Sequence, residues 1–81
     1  MPRALTVTRR SVPRDRADAY HAACRAEADR LSAVGDHLWL FRRSGEPGSY
    51  LEFREGSDPG RLAASDPEAP LWLEVDLTRE T

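Results

Sequence analysis

The stretch HLWLFRRSGEPGSYLEFRE, residues 37 to 55, limits what this chain can fold into more than any other. Two strand-like runs, His37 to Arg43 and Ser49 to Glu55, flank a short Gly- and Pro-containing loop, which is the pattern of a β-hairpin. Side chains alternate between the two faces of a strand. Here Leu38 and Leu40 alternate with Trp39 and Phe41, while Leu51 and Phe53 alternate with Tyr50, Glu52 and Arg54. Large apolar side chains therefore fall on both faces of one small hairpin, and one of those faces needs a cover from outside the hairpin.

Length narrows where that cover comes from. The 81 residues make a single domain, 1–81, and a chain this short buries only about 60–65% of the surface its unfolded form exposes. Composition is that of a folded domain, with 40% hydrophobic and 32% charged residues. One cysteine, Cys24, leaves no internal disulfide to staple it, which predicts a reducing, cytoplasmic setting. The first residues lack the apolar run of a signal peptide, and no stretch approaches the ~18 apolar residues of a membrane span. A small unstapled domain commonly makes up its deficit by oligomerising.

The rest of the chain alternates strand and helix. ALTVTRRSV, residues 4 to 12, places Leu5 and Val7 opposite Thr6 and Thr8, as in a half-buried strand, and Pro13 closes it. From about Asp15, read as an N-cap, Ala17, Tyr20, Cys24, Ala28, Leu31 and Val34 recur at helical spacing, and Gly35 is a natural stop. After the hairpin, Asp58 and Pro59 open a short helix that carries Leu62 inward. LWLEVDL, residues 71 to 77, forms a last strand with Leu71, Leu73, Val75 and Leu77 on one side and Trp72 on the other.

These elements predict an α+β fold of ferredoxin-like βαββαβ order, a four-stranded antiparallel sheet with both helices on one face. Leu5, Val7, Leu51, Phe53 and the Leu/Val series of the last strand are expected beneath the helices, with Leu38 and Leu40. The opposite face then carries Thr6, Thr8, Trp39, Phe41, Tyr50, Glu52, Arg54 and Trp72, with Glu74 and Asp76. Two Trp, a Phe and a Tyr are foreign to a solvated sheet face and mark an interface or a binding site.

The element order, the first helix running into AVGDHLWLF, and the paired runs HLWLFRR and SYLEFRE resemble the dimeric α+β barrel proteins, and among them the antibiotic biosynthesis monooxygenase-like group. The resemblance implies a homodimer whose sheets pack face to face, with a pocket for a small hydrophobic or aromatic molecule. It further implies a cofactor-independent oxygenase, one of the activities of that group. Haem-degrading members resemble an Asn, Trp and His set. This chain contains no Asn, so none of those residues is carried over.

Candidate site residues follow from the aromatic face. Trp39, Phe41, Arg54 and Trp72 are the candidate substrate-binding side chains, although two Trp on a dimerising face equally serve as interface filler. His37, beside Asp36, is a candidate general base, since imidazole as a side-chain type titrates near neutrality; its alternative is a surface histidine at a helix-to-strand turn. Tyr50 offers a phenol to a substrate oxygen, or points into the dimer seam. His21 falls at the edge of the helical stripe and Cys24 within it, as a small buried hydrophobe. Two histidines without partners at ligand spacing predict no metal, and no cofactor is expected.

Three function classes stay open. One is an oxygenase or isomerase acting on a hydrophobic molecule; the second is a non-catalytic dimeric module that binds such a molecule or a partner protein. The third is an RNA-binding module of the same strand order. The formal charge of −2, from 12 basic and 14 acidic residues, and Glu52 between the aromatics of SYLEFREG weigh against nucleic acid.

Overall fold

A computed structural model describes residues 3–78, so residues 1–2 and 79–81 of the expected domain lie outside the described residues. It is a mixed α+β structure: β1 (Ala4–Ser11), a 3-10 turn (Arg14–Arg16), α1 (Ala17–Ser32), β2 (His37–Arg42), β3 (Ser49–Gly56), α2 (Pro59–Ser65) and β4 (Leu71–Leu73). The four strands form one antiparallel sheet in the order β2-β3-β1-β4, consistent with a ferredoxin-like fold.

Local signals explain most of these elements. Asp58 caps α2 by accepting from the Arg61 N–H at 3.1 Å, Pro59 sits at the first helical position, and Leu62 is 1% exposed. Gly35 ends α1 with φ of 80°, the left-handed region that favours glycine, and the Asp36 N–H returns to the Leu31 carbonyl at 3.0 Å. The start of α1 differs from expectation. Asp15 makes no cap; it lies in the 3-10 turn that follows Pro13, and Arg16 precedes the helix without a side-chain bond. The expected stripe is half-buried from Ala17 to Leu31, whereas Val34, beyond the helix, is exposed. β4 is also shorter than expected. Regular pairing stops at Leu73, and Leu71, Leu73, Val75 and Leu77, all expected beneath the helices, are exposed.

The largest correction concerns which face the helices cover. Cross-strand partners share a face, and the register joins Val7 to Phe53, Trp39 to Phe53 and Phe41 to Leu51. Leu5, Val7, Leu51 and Phe53 therefore lie with Trp39, Phe41 and Trp72 on the open face, not beneath the helices. Thr6, Thr8, Tyr50, Glu52 and Arg54 lie on the covered face with Leu38 and Leu40. There α1 reaches Tyr50, Glu52 and Arg54, and Asp66, just after α2, accepts a bond from Thr8. The expected phase of β2 and β4 holds, and that of β1 and β3 is inverted. Burying Leu51 and Phe53 while exposing Trp39 and Phe41 is incompatible with this hairpin register, because paired residues project together.

Burial follows the inversion. The buried apolar residues are Ala4, Tyr50 and Leu62, while Thr6, Asp36, Glu52 and Arg54 are buried polar ones. Asp36 is locked by the Arg61 guanidinium, with Nη2 at 2.9 Å and Nε at 3.0 Å. Gly56 makes room for this pair: a Cβ there would collide with the Asp36 carboxylate.

Candidate functional site

Beneath α1, two helical turns and one strand build a charged cluster. Tyr20 and Glu27, seven residues apart, project from the same side of α1; Glu52 and Arg54, two apart, project from the covered face of β3. Arg54 Nε donates to Glu27 Oε2 at 2.5 Å and Arg54 Nη1 to Glu52 Oε1 at 2.8 Å. Glu52 Oε2 accepts from the Tyr20 hydroxyl at 2.6 Å and from Arg10 Nε at 3.3 Å. Two carboxylates and two guanidiniums thus compensate one another in the region a hydrophobic core usually fills.

The electrostatics fix the ionisation of this cluster. Burial pushes the Glu52 carboxyl toward neutrality, but the Tyr20 hydroxyl and the Arg54 guanidinium outweigh it and hold the group below the usual carboxylate range. Arg54 feels the same opposition: burial disfavours its charge, and the bonds to Glu27 and Glu52 more than restore it. Tyr20 is pushed well above the ordinary phenol range by burial and by its bond to Glu52, so it stays a donor. Burial also raises the Cys24 thiol, with Glu52 and Glu27 adding to the shift, which leaves a neutral and weakly nucleophilic sulfur.

Beside the cluster, His21 Nε2 and the Tyr50 hydroxyl are 2.9 Å apart, and the Tyr20 and Tyr50 rings pack at a centroid distance of 4.9 Å. His21 also borders a cleft of about 320 Å3 between α1 and β2, whose other walls include Cys24, Ala28, Leu38 and Leu40. An imidazole bonded to a phenol at the rim of an apolar cleft is suited to moving a proton to or from a hydrophobic guest.

The expected site residues divide between the two sides of the sheet. Trp39 and Trp72 come together on the open face, where they share a shallow hollow of about 360 Å3 with Leu5 and Glu55. Phe41 lies on that face too and meets Phe53 edge to face, at 5.3 Å and 86°. Arg54 does not join them; it is buried on the opposite face, in the ion cluster. His37 stacks on Trp39 at 5.3 Å, with Nε2 4.0 Å from Glu55. Asp36 does not orient His37, because Arg61 occupies its carboxylate. The sheet separates His37 from Tyr50, which is 4% exposed beneath α1.

Sequence reasoning missed the Tyr20, Glu27, Glu52 and Arg54 cluster. Its signal was present in the matched spacings, seven along a helix and two along a strand, with opposite charges among them. Among the described residues, no group of three His, Cys, Asp or Glu side chains is placed to hold a metal ion, and no helix is long and apolar enough to cross a membrane. No protein-family model matches the chain, and neither a curated protein nor a solved structure matches it.

Proposed function

We propose that this chain works as a homodimer of the dimeric α+β barrel kind, similar to the antibiotic biosynthesis monooxygenase-like group, and acts as a cofactor-independent oxygenase on a small hydrophobic or aromatic molecule. The observation that carries the reading is the open sheet face. Trp39, Phe41 and Trp72 are 47%, 57% and 58% exposed there, while Ala4, Tyr50 and Leu62 are the buried apolar residues. A second copy packed on this face supplies the apolar core that one protomer lacks.

The cleft between α1 and β2 takes the guest in this reading, and His21, bonded to Tyr50, is its base. His21 removes a proton from an acidic phenol or methylene, and the resulting carbanion adds dioxygen. The peroxide then loses water to leave a carbonyl, so dioxygen is the oxidant throughout. His21 and Tyr50 take the roles expected for His37 and Tyr50, because His21 is the histidine within reach of the phenol. The mutual pairing of every charge in the Glu52 cluster favours a second reading, a dimeric module that binds such a molecule without transforming it.

Sedimentation at micromolar concentration tests the dimer, with twice the protomer mass expected and a folded monomer overturning it. Oxygen uptake with a panel of hydroxylated polycyclic aromatics tests the chemistry. His21→Ala is expected to abolish uptake without changing the mass; binding without uptake by the native chain selects the second reading.

A further inference from the structure

Where β1 and β2 run out, the sheet ends in a hollow of about 300 Å3 bordered by Arg9, Phe41, Arg42, Arg43, Ser49 and Leu51. The register dictates this grouping. Arg9 pairs with Leu51 and Leu51 with Phe41, and the tight return of the hairpin, with Arg43 N–H donating to the Ser49 carbonyl at 2.9 Å, brings Arg43 and Ser49 alongside. An apolar floor and an exposed phenyl ring thus stand inside a rim of two guanidiniums, those of Arg9 and Arg43, and a hydroxyl, while Arg42, paired with Tyr50, projects from the covered face.

The charges of this rim differ from those of the arginines locked in the tightest ion pairs. Arg3, Arg54 and Arg61 each sit within 3.1 Å of a carboxylate oxygen. Among the described residues Arg9 has no ion-pair partner, and Arg43 reaches Glu46 at 3.6 Å, three positions along an exposed loop. Such an exposed pair is weak and is readily exchanged for another anion. In a chain with more acidic than basic residues, one unpaired and one weakly paired cation beside the same hollow form a local positive field.

We propose that this hollow binds a small organic anion with a flat apolar body, an aromatic carboxylate. Guanidinium forks match a carboxylate in planar, paired hydrogen bonds, and the Ser49 hydroxyl adds a further donor. Phe41 and Leu51 take the ring. The volume suits a body of one or two rings, near the lower end of small-molecule pockets. The site stands apart from the α1–β2 cleft and does not depend on the oxygenase reading; it lies at the end of the open face, where the proposed second copy must leave the Phe41 ring clear.

Titration with 2-naphthoate, followed by backbone amide shifts in 15N spectra and run beside sedimentation of the same sample, tests the assignment. Shifts centred on Phe41, Ser49 and Leu51 are expected. Arg9→Gln and Arg43→Gln, made separately, should each weaken binding about fivefold or more, while Arg14→Gln, on the 3-10 turn, should leave it within about twofold. Neutral 2-naphthamide and inorganic phosphate should each bind about tenfold more weakly than naphthoate, one lacking the charge and the other the ring. Equal binding of the amide, equal binding of phosphate, or equal sensitivity to Arg14→Gln overturns the proposal. Naphthoate bound at these residues by a monomer upholds it while removing the dimer.

Discussion

The two faces of the sheet divide the chain's chemistry between them, and β3 belongs to both. Toward the helices it presents Tyr50, Glu52 and Arg54, all buried; away from them it presents Leu51 and Phe53, which are only half-buried. The covered face is held by directional bonds among ionised groups. The open face carries the apolar area that ordinarily drives folding, and no helix among the described residues covers it. A face of fixed charges specifies one geometry because an unpaired buried charge is costly. An apolar face tolerates many neighbours and finds its stability in whatever excludes water. The comparison teaches that the geometry of the covered face is set within the protomer, while the apolar face is the one the proposed second copy would cover.

Breaking the covered face should have the largest effect. Arg54→Ala leaves Glu27 and Glu52 without their shared cation, and a loss of about 3–5 kcal/mol is expected in chemical denaturation at fixed protomer concentration. A change below about 1 kcal/mol would mean that the cluster is solvated rather than structural.

The open face comes next. Trp39→Ala and Trp72→Ala each remove a large side chain from the proposed interface, and each should weaken dimerisation by about 2 kcal/mol or more, roughly 30-fold in Kd. The helix-covered cluster should be untouched, so the far-ultraviolet spectrum of the resulting monomer should keep its helical content. If both variants stay dimeric with native affinity, the open face is not the interface.

How much of this division was legible in the sequence depends on the element. α2 was legible because Asp58, Pro59 and Leu62 act within a single turn. α1 was legible through Leu31, since its stripe is local, although the 3-10 entry after Pro13 was not. The phase of β1 and β3 was not legible. Leu51 and Phe53 are the more apolar half of their strand, and placing them inside follows from burial alone. Their actual side is set by the inward residues of α1, where Tyr20, His21 and Glu27 offer polar partners rather than an apolar bed. Of the candidate site, the Trp39 and Trp72 neighbourhood was readable from period two. The His21–Tyr50 pair was not, because it joins residues 29 positions apart through a helix position judged peripheral.

Acid sharpens the comparison with a smaller effect. The folded protein holds Glu52 below its ordinary range, so the stability this group contributes is present above about pH 4.5 and is lost as pH falls through its lower, folded value. Glu52→Gln should cost about 1–3 kcal/mol at neutral pH and make the remaining stability less steep in that acid window. Urea melts at pH 7, 5 and 3.5 compare the two proteins. An unchanged slope would mean that Glu52 does not carry the acid dependence.

The smallest expected effect lies at Thr6, on the covered face between Arg54 of β3 and Leu71 of β4. Its side chain is fully buried, and its Oγ1 has no hydrogen-bond partner among the described residues. A hydroxyl desolvated without a partner lowers stability, and valine has nearly the same shape and keeps the β-branched fit to a strand. Thr6→Val should therefore stabilise the protein by about 0.5–1 kcal/mol, read as a higher urea midpoint with an unchanged m-value. Thr8→Val serves as the internal contrast, because the Thr8 hydroxyl donates to Asp66 and its removal should lower the midpoint instead. If both substitutions destabilise alike, the Thr6 hydroxyl has a partner in solution, and the covered face is wetter than its ion pairs imply.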